Sequence, residues 1–111
     1  MNDIRLQVEA SEEPGTVRLI GELDISTVEL ASRGLSAAAG AGTKVSVDLS
    51  KLTFIDSSGV RLLLNLLRDQ RASGGDVVLQ APTDHVRHVF DILGLEANGV
   101  VIIPPSNASD R

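Results

Sequence analysis

Asp56, Ser57 and Ser58, with Gly59 behind them, are the residues of this chain most suited to chemistry. They join a β-branched run, Lys44 to Leu49, to the most leucine-rich segment, Val60 to Leu67. A helix is expected to begin at this junction. Its first backbone N–H groups have no partner inside the helix, and that end carries partial positive charge. A hydroxyl there either caps the helix or accepts a phosphoryl group, whose charge the same end would stabilise. On periodicity alone, Ser57 as a plain N-cap is the simpler reading. The second serine and the glycine keep the acceptor open. A glycine in the first turn costs about 1 kcal/mol relative to alanine, but it leaves the approach to the serines clear. Asp24, which closes Gly21-Glu22-Leu23-Asp24, is a second acidic turn at the end of a strand. Functional groups of a parallel α/β sheet gather at such ends, and the two turns are expected to share one edge.

Other chemistries lack their parts. No Gly-x-x-x-x-Gly-Lys run is present, and Gly74-Gly75 precedes a strand instead of a helix, so it reads as a turn. The Gly-x-Ser-x-Gly elbow of serine hydrolases is missing, and a base would have to come from His85 or His88 on another helix. Asp84, His88 and Asp91 share a helix face and could hold a divalent ion; a solvated face with an Arg87–Asp91 pair is the simpler reading. Neither a metal nor a cofactor is expected.

The elements that would position these residues follow from periodicity. Ile4, Leu6 and Val8 alternate with polar residues, as in a strand wetted on one face, and Pro14-Gly15 turns it into a second strand, Thr16 to Glu22. Ser26 and Glu29 have the spacing of a capping box, with Ile25 and Leu30 as a hydrophobic staple, for a helix running to about Ala39. That helix should bury Leu30, Ala31, Leu35 and Ala38. Lys44 to Leu49 is the third strand. The second helix, about Ser58 to Arg71, presents Val60, Leu63, Leu64 and Leu67 as one stripe. Asp76 to Ala81 reads as an inner strand, apolar on both faces. Pro82-Thr83 opens a third helix with Val86, Val89, Phe90 and Leu93 as its stripe, and Val100 to Ile103 is a last strand. The order β-β-α-β-α-β-α-β predicts a single α/β domain over residues 1–103. Its sheet, mixed and mostly parallel, has about five strands with helices packed against it. Residues 104–111 read as a flexible tail.

Composition narrows the partners. The 111 residues carry a net charge of −5, which argues against direct nucleic-acid binding. There is no cysteine, so disulfide and thiolate chemistry are excluded. No apolar run reaches the roughly 18 residues of a membrane span, and a cytoplasmic protein without membrane contact is expected.

Gly21-Glu22-Leu23-Asp24, Val47-Asp48-Leu49-Ser50 leading into Phe54-Ile55-Asp56-Ser57-Ser58-Gly59, Gly74-Gly75-Asp76, and Val89-Phe90-Asp91-Ile92-Leu93-Gly94-Leu95 together resemble the STAS domain of bacterial anti-sigma factor antagonists. The resemblance spans about residues 4 to 103. It implies a partner switch, not an enzyme. The serine directly after the aspartate, here Ser57, would be phosphorylated by an anti-sigma factor that is itself a serine kinase, and ATP would belong to that partner. The unphosphorylated form would bind the anti-sigma factor and release a sigma factor for transcription. A metal-dependent serine phosphatase would reset the switch. Asp24 would lie beside the phosphorylation site and Asp56 would flank it, with Ser58 and Gly59 completing the motif. Many members of the family end in a further helix, where this chain has Pro104-Pro105 and polar residues. The alternative within the fold is a STAS module that is never phosphorylated, serving as a scaffold or transport-complex subunit.

A phosphoryl group on Ser57 would add about 1.5 to 2 negative charges near Asp24 and Asp56. At about 5 Å and an effective dielectric of about 20, each unit pair costs roughly 3 kcal/mol before screening. A solvated edge tolerates this, whereas a partner burying the edge would be ejected, since about 1.4 kcal/mol is already tenfold in affinity. Leu62 and Leu66 lie off the Val60–Leu67 stripe and offer an apolar flank for partner docking beside Ser57. The plainer alternative is a wide core stripe covered by neighbouring helices.

Overall fold

The computed structural model describes residues 5–105. Along them run β1 (Leu6–Ala10), β2 (Thr16–Leu23), α1 (Val28–Ala38), β3 (Lys44–Ile55), α2 (Ser57–Ala72), β4 (Asp76–Gln80), α3 (Asp84–Ile92), a 3-10 turn (Glu96–Asn98) and β5 (Val101–Ile103). Ile4 and residues 106–111, which sequence assigns to the first strand and the tail, lie outside the described residues.

β1 and β2 form the expected antiparallel hairpin, with Leu6 opposite Gly21 and Ala10 opposite Val17. Its turn uses Gly15 at φ +79°, a left-handed conformation natural to glycine. The remaining pairs, β2–β3, β3–β4 and β4–β5, are parallel, and the five strands lie side by side in chain order. Alternate strand residues, including Val17, Leu19, Val45, Val47, Val77 and Leu79, share one buried cluster with Ala31 and Leu35 of α1, Leu63 and Leu67 of α2, and Val86 and Phe90 of α3. Burying a side chain such as Phe90, which is wholly inaccessible, contributes about 1.5–3 kcal/mol. Strand residues of the opposite parity, such as Arg18 and Asp48, point away from this core and pair with each other at 3.0 Å.

β3 runs six residues past Leu49, where alternation stops in the sequence. Its register against β2 slips twice, between Arg18 and Ile20 and between Gly21 and Glu22, each time with one extra residue in β3. The slips explain why Leu49, Leu52 and Ile55 are all buried at a spacing of three. They also carry the strand to the point where α2 begins.

Several helix faces differ from the expected stripes. In α1, Ala31 and Leu35 are buried, but Leu30 is half exposed and Ala38 exposed. Leu64 of α2 is 38% exposed and Leu93 47%. Leu95, held by its N–H to the Phe90 carbonyl at 3.1 Å, enters the core in place of Leu93. The capping box at Ser26 is not formed. Thr27 occupies the N-cap position without a side-chain cap, and the Asp24 carbonyl accepts from the N–H groups of Thr27 and Val28 at 3.0 and 2.9 Å. The staple fails with it, because Ile25 is 74% exposed.

Candidate functional site

Parallel pairing sets Leu23 opposite Ile55, so β2 and β3 end together and their following turns share one edge of the sheet. The Asp56 N–H donates to the Leu23 carbonyl at 3.2 Å and locks the two turns side by side. Asp56, with extended backbone, is the N-cap of α2. Its Oδ1 accepts from the N–H groups of Ser58 at 2.9 Å and Gly59 at 3.2 Å. Ser57 is therefore not the cap. It is the first residue of the helix, exposed, and its hydroxyl has no hydrogen-bond partner among the described residues. The capping carboxylate also occupies two of the N–H groups at the helix end that could otherwise meet a phosphate.

Gly59 has a different purpose from the one expected. It is buried, and a Cβ there would stand 2.7 Å from Leu23 Cγ and 2.8 Å from Ile55 Cγ1. The glycine lets the first turn of α2 sit directly on the ends of β2 and β3. It fixes the height of Ser57 above the sheet edge instead of opening a path to it.

Asp24 is 8% exposed and fully engaged. Its Oδ1 accepts from the Ser26 hydroxyl at 2.7 Å and the Ser26 N–H at 2.9 Å, while Oδ2 accepts from Arg5 Nη2 at 2.6 Å. Arg5 reaches across the hairpin and also donates to Glu22 at 2.6 Å and to Ser26 Oγ at 2.8 Å. The Ser26 hydroxyl, ahead of burial, which opposes it, and with help from the Ser26 N–H and Arg5, holds the Asp24 carboxyl below its ordinary value. Thr27 Oγ1 accepts from the Asp24 N–H at 2.9 Å and donates to the Glu22 carbonyl at 2.9 Å, so the whole turn is tied. Asp24 thus shares the edge with Ser57, but its negative charge is already countered.

A cleft of about 420 Å³ between α1 and α2 opens at Ser57. Its walls include Ile25 and Val28 from the α1 side and Ser57, Ser58, Arg61 and Leu62 from the α2 side. Leu62 and Leu66 are partly buried and pack against the core, with Leu66 lining a second groove further along the same two helices. Arg5 and Arg61 also belong to this edge, one by its bond to Asp24 and the other on the cleft wall. The hairpin register would have placed Arg5 near Glu22, and the four-residue step from Ser57 would have placed Arg61 on its helix face. Asp84, His88 and Asp91 hold no metal-like arrangement among the described residues, and Arg87 pairs with Asp91 at 3.1 Å. Among the described residues no helix is long and apolar enough to cross a membrane.

A family model described as "Mlab, STAS domain" matches residues 6–104. The anti-sigma F factor antagonist of Lysinibacillus sphaericus is 39% identical over 87 residues, spanning 77% of this chain and 74% of that protein. The solved structure of the anti-sigma factor antagonist SpoIIAA in its unphosphorylated form superposes with a TM-score of 0.70 at 32% identity, covering 94% of this chain and 90% of that one. The phosphorylated form of SpoIIAA, a Bacillus cell fate determinant, superposes with a TM-score of 0.64 at 29% identity, covering 94% of each chain.

Proposed function

The chain belongs to the STAS domain family, and we propose that it works there as a phosphorylation-controlled switch with Ser57 as the phosphoryl acceptor. It is an anti-sigma factor antagonist: the unphosphorylated form binds an anti-sigma factor and so releases a sigma factor for transcription. The observation that carries the assignment of Ser57 is its exposed hydroxyl, left without a structural task because Asp56 caps α2. In the phosphorylation step the Ser57 oxygen attacks the γ-phosphorus of ATP held by the kinase partner. The bond to ADP breaks, and the hydroxyl proton leaves to a base of that partner. This chain supplies the acceptor and no catalytic group, and a serine phosphatase removes the phosphate. The setting is the cytoplasm.

Phosphate at Ser57 stands beside the Asp56 carboxylate, whose charge is not offset by an arginine as that of Asp24 is. Binding of a partner over this edge would strip water from both anions, which strengthens their repulsion. Leu62, on the wall of the cleft, and Leu66, one turn along, provide the apolar contact for the anti-sigma factor. The switch therefore needs no change of shape. The test is incubation with a serine-kinase anti-sigma factor and ATP, followed by phosphopeptide mapping of wild type, Ser57→Ala and Ser58→Ala. Label is expected in wild type and Ser58→Ala and absent from Ser57→Ala. Label that persists in Ser57→Ala and vanishes in Ser58→Ala moves the acceptor one residue. No label with any such kinase points to the unphosphorylated scaffold.

A further inference from the structure

Seven arginines lie among the described residues, and six of them hold a carboxylate at 3.5 Å or closer: Arg5, Arg18, Arg33, Arg68, Arg71 and Arg87. Arg61 alone among them has none. It is exposed and lines the same cleft as Ser57. Resting on the reading of Ser57 as acceptor, we infer that Arg61 is the built-in counter-ion of the Ser57 phosphate and stabilises the phosphorylated state.

Three features lead there. Ser57 and Arg61 are four residues apart on α2, so they are neighbours on its surface, and helical side chains lean toward the N-terminus. An Arg61 side chain that follows this lean reaches toward Ser57, and both residues line the same cleft. The N–H groups of Ser58 and Gly59, which would otherwise be free to receive a phosphate, are taken by Asp56, which favours a side chain as its positive partner. Finally, the other charged groups around the serine are unsuited to that task. Asp56 and Glu29, which faces the cleft from α1 and pairs with Arg33, are anionic, and Arg5 is held by Glu22 and Asp24. A guanidinium matches phosphate oxygens in a two-pronged fork, which an ammonium cannot reproduce. The pair lowers the charge presented by the phosphorylated protein.

Protein carrying phosphoserine inserted at position 57 during translation tests this without any kinase. The phosphorus NMR shift is followed across about pH 5 to 8, around the second phosphate ionisation near 6. Arg61→Gln should raise that ionisation by about half a pH unit, the shift expected of an exposed ion pair. Arg61→Lys should recover part of it, and Arg68→Gln on the same helix should leave it in place. Melting curves of the variants confirm that each is folded. Identical titrations in wild type and Arg61→Gln, or an equal shift in Arg68→Gln, overturn the pairing. Loss of anti-sigma factor binding in Arg61→Gln with no change in titration also overturns it, assigning Arg61 to the partner. Failure of the function itself reads out separately, as absence of kinase label on Ser57.

Discussion

If Asp56 caps α2 and Ser57 does not, these adjacent residues must respond to substitution in opposite ways. Asp56→Ala removes the acceptor of two hydrogen bonds, at 2.9 and 3.2 Å, and strands the N–H groups of Ser58 and Gly59. Loss of an N-cap costs about 1 kcal/mol, within a range of about 0.5–2. In a domain of this size, that lowers the melting temperature by about 4–8 °C. Ser57→Ala removes an exposed hydroxyl without a partner at the first helical position, and alanine is the better helix former. Its stability should stay within about 0.5 kcal/mol of wild type. Asp56→Asn separates cap from charge, since asparagine caps nearly as well. Urea and thermal unfolding followed by circular dichroism measure all three. A loss in Ser57→Ala as large as that in Asp56→Ala, or no loss in Asp56→Ala, would refute the assignment of the cap. A silent Ser57→Ala is also what makes that variant a clean probe of phosphorylation.

Gly59→Ala should destabilise by up to about 2 kcal/mol, because its Cβ would press on fully buried Leu23 and Ile55 by more than the gain in helix propensity returns; an unchanged denaturation midpoint contradicts the close-packing role. The depressed Asp24 carboxyl contributes stability that is present above the ordinary aspartate value of about 3.9 and is lost as pH falls through its lower folded value. The melting-temperature gap between wild type and Asp24→Asn should therefore be widest at neutral pH and narrow below about pH 4, and a gap constant with pH would count against it. Leu62→Ser and Leu66→Ser should each cost about 1 kcal/mol, since both side chains are only partly buried. Binding to the anti-sigma factor, measured by calorimetry, should weaken more than that loss predicts; unaltered affinity would confine both leucines to packing.

The element order, the antiparallel hairpin and the meeting of two acidic turns at one edge were legible in the sequence, because each rests on local periodicity or turn chemistry. The cap was not. Asp56 and Ser57 are both good caps, and only the backbone trajectory leaving β3 decides between them. The Ser26–Glu29 spacing misleads because the Ser26 hydroxyl is captured by Asp24, two residues before it, and also accepts from Arg5, which lies just ahead of β1. The full length of β3 is hidden in the sequence because two register slips convert the period of two into a spacing of three, which no single-strand pattern anticipates. Likewise Leu64 and Leu93 fit their stripes, but Leu95, beyond Gly94 at φ +66°, folds back to fill the space that Leu93 leaves.

The strands lie in the sheet in the same order as in the chain. No pairing therefore has to wait for a distant segment: each new strand docks on the one made just before it, across a single turn or helix. Short closures of this kind carry little entropy cost and favour rapid folding. The edge formed by β2 and β3 is already defined once α2 has been made, before β4 and β5 exist. A nascent chain can thus assemble the corner that carries Ser57 first and extend the sheet outward from it, in the direction of synthesis.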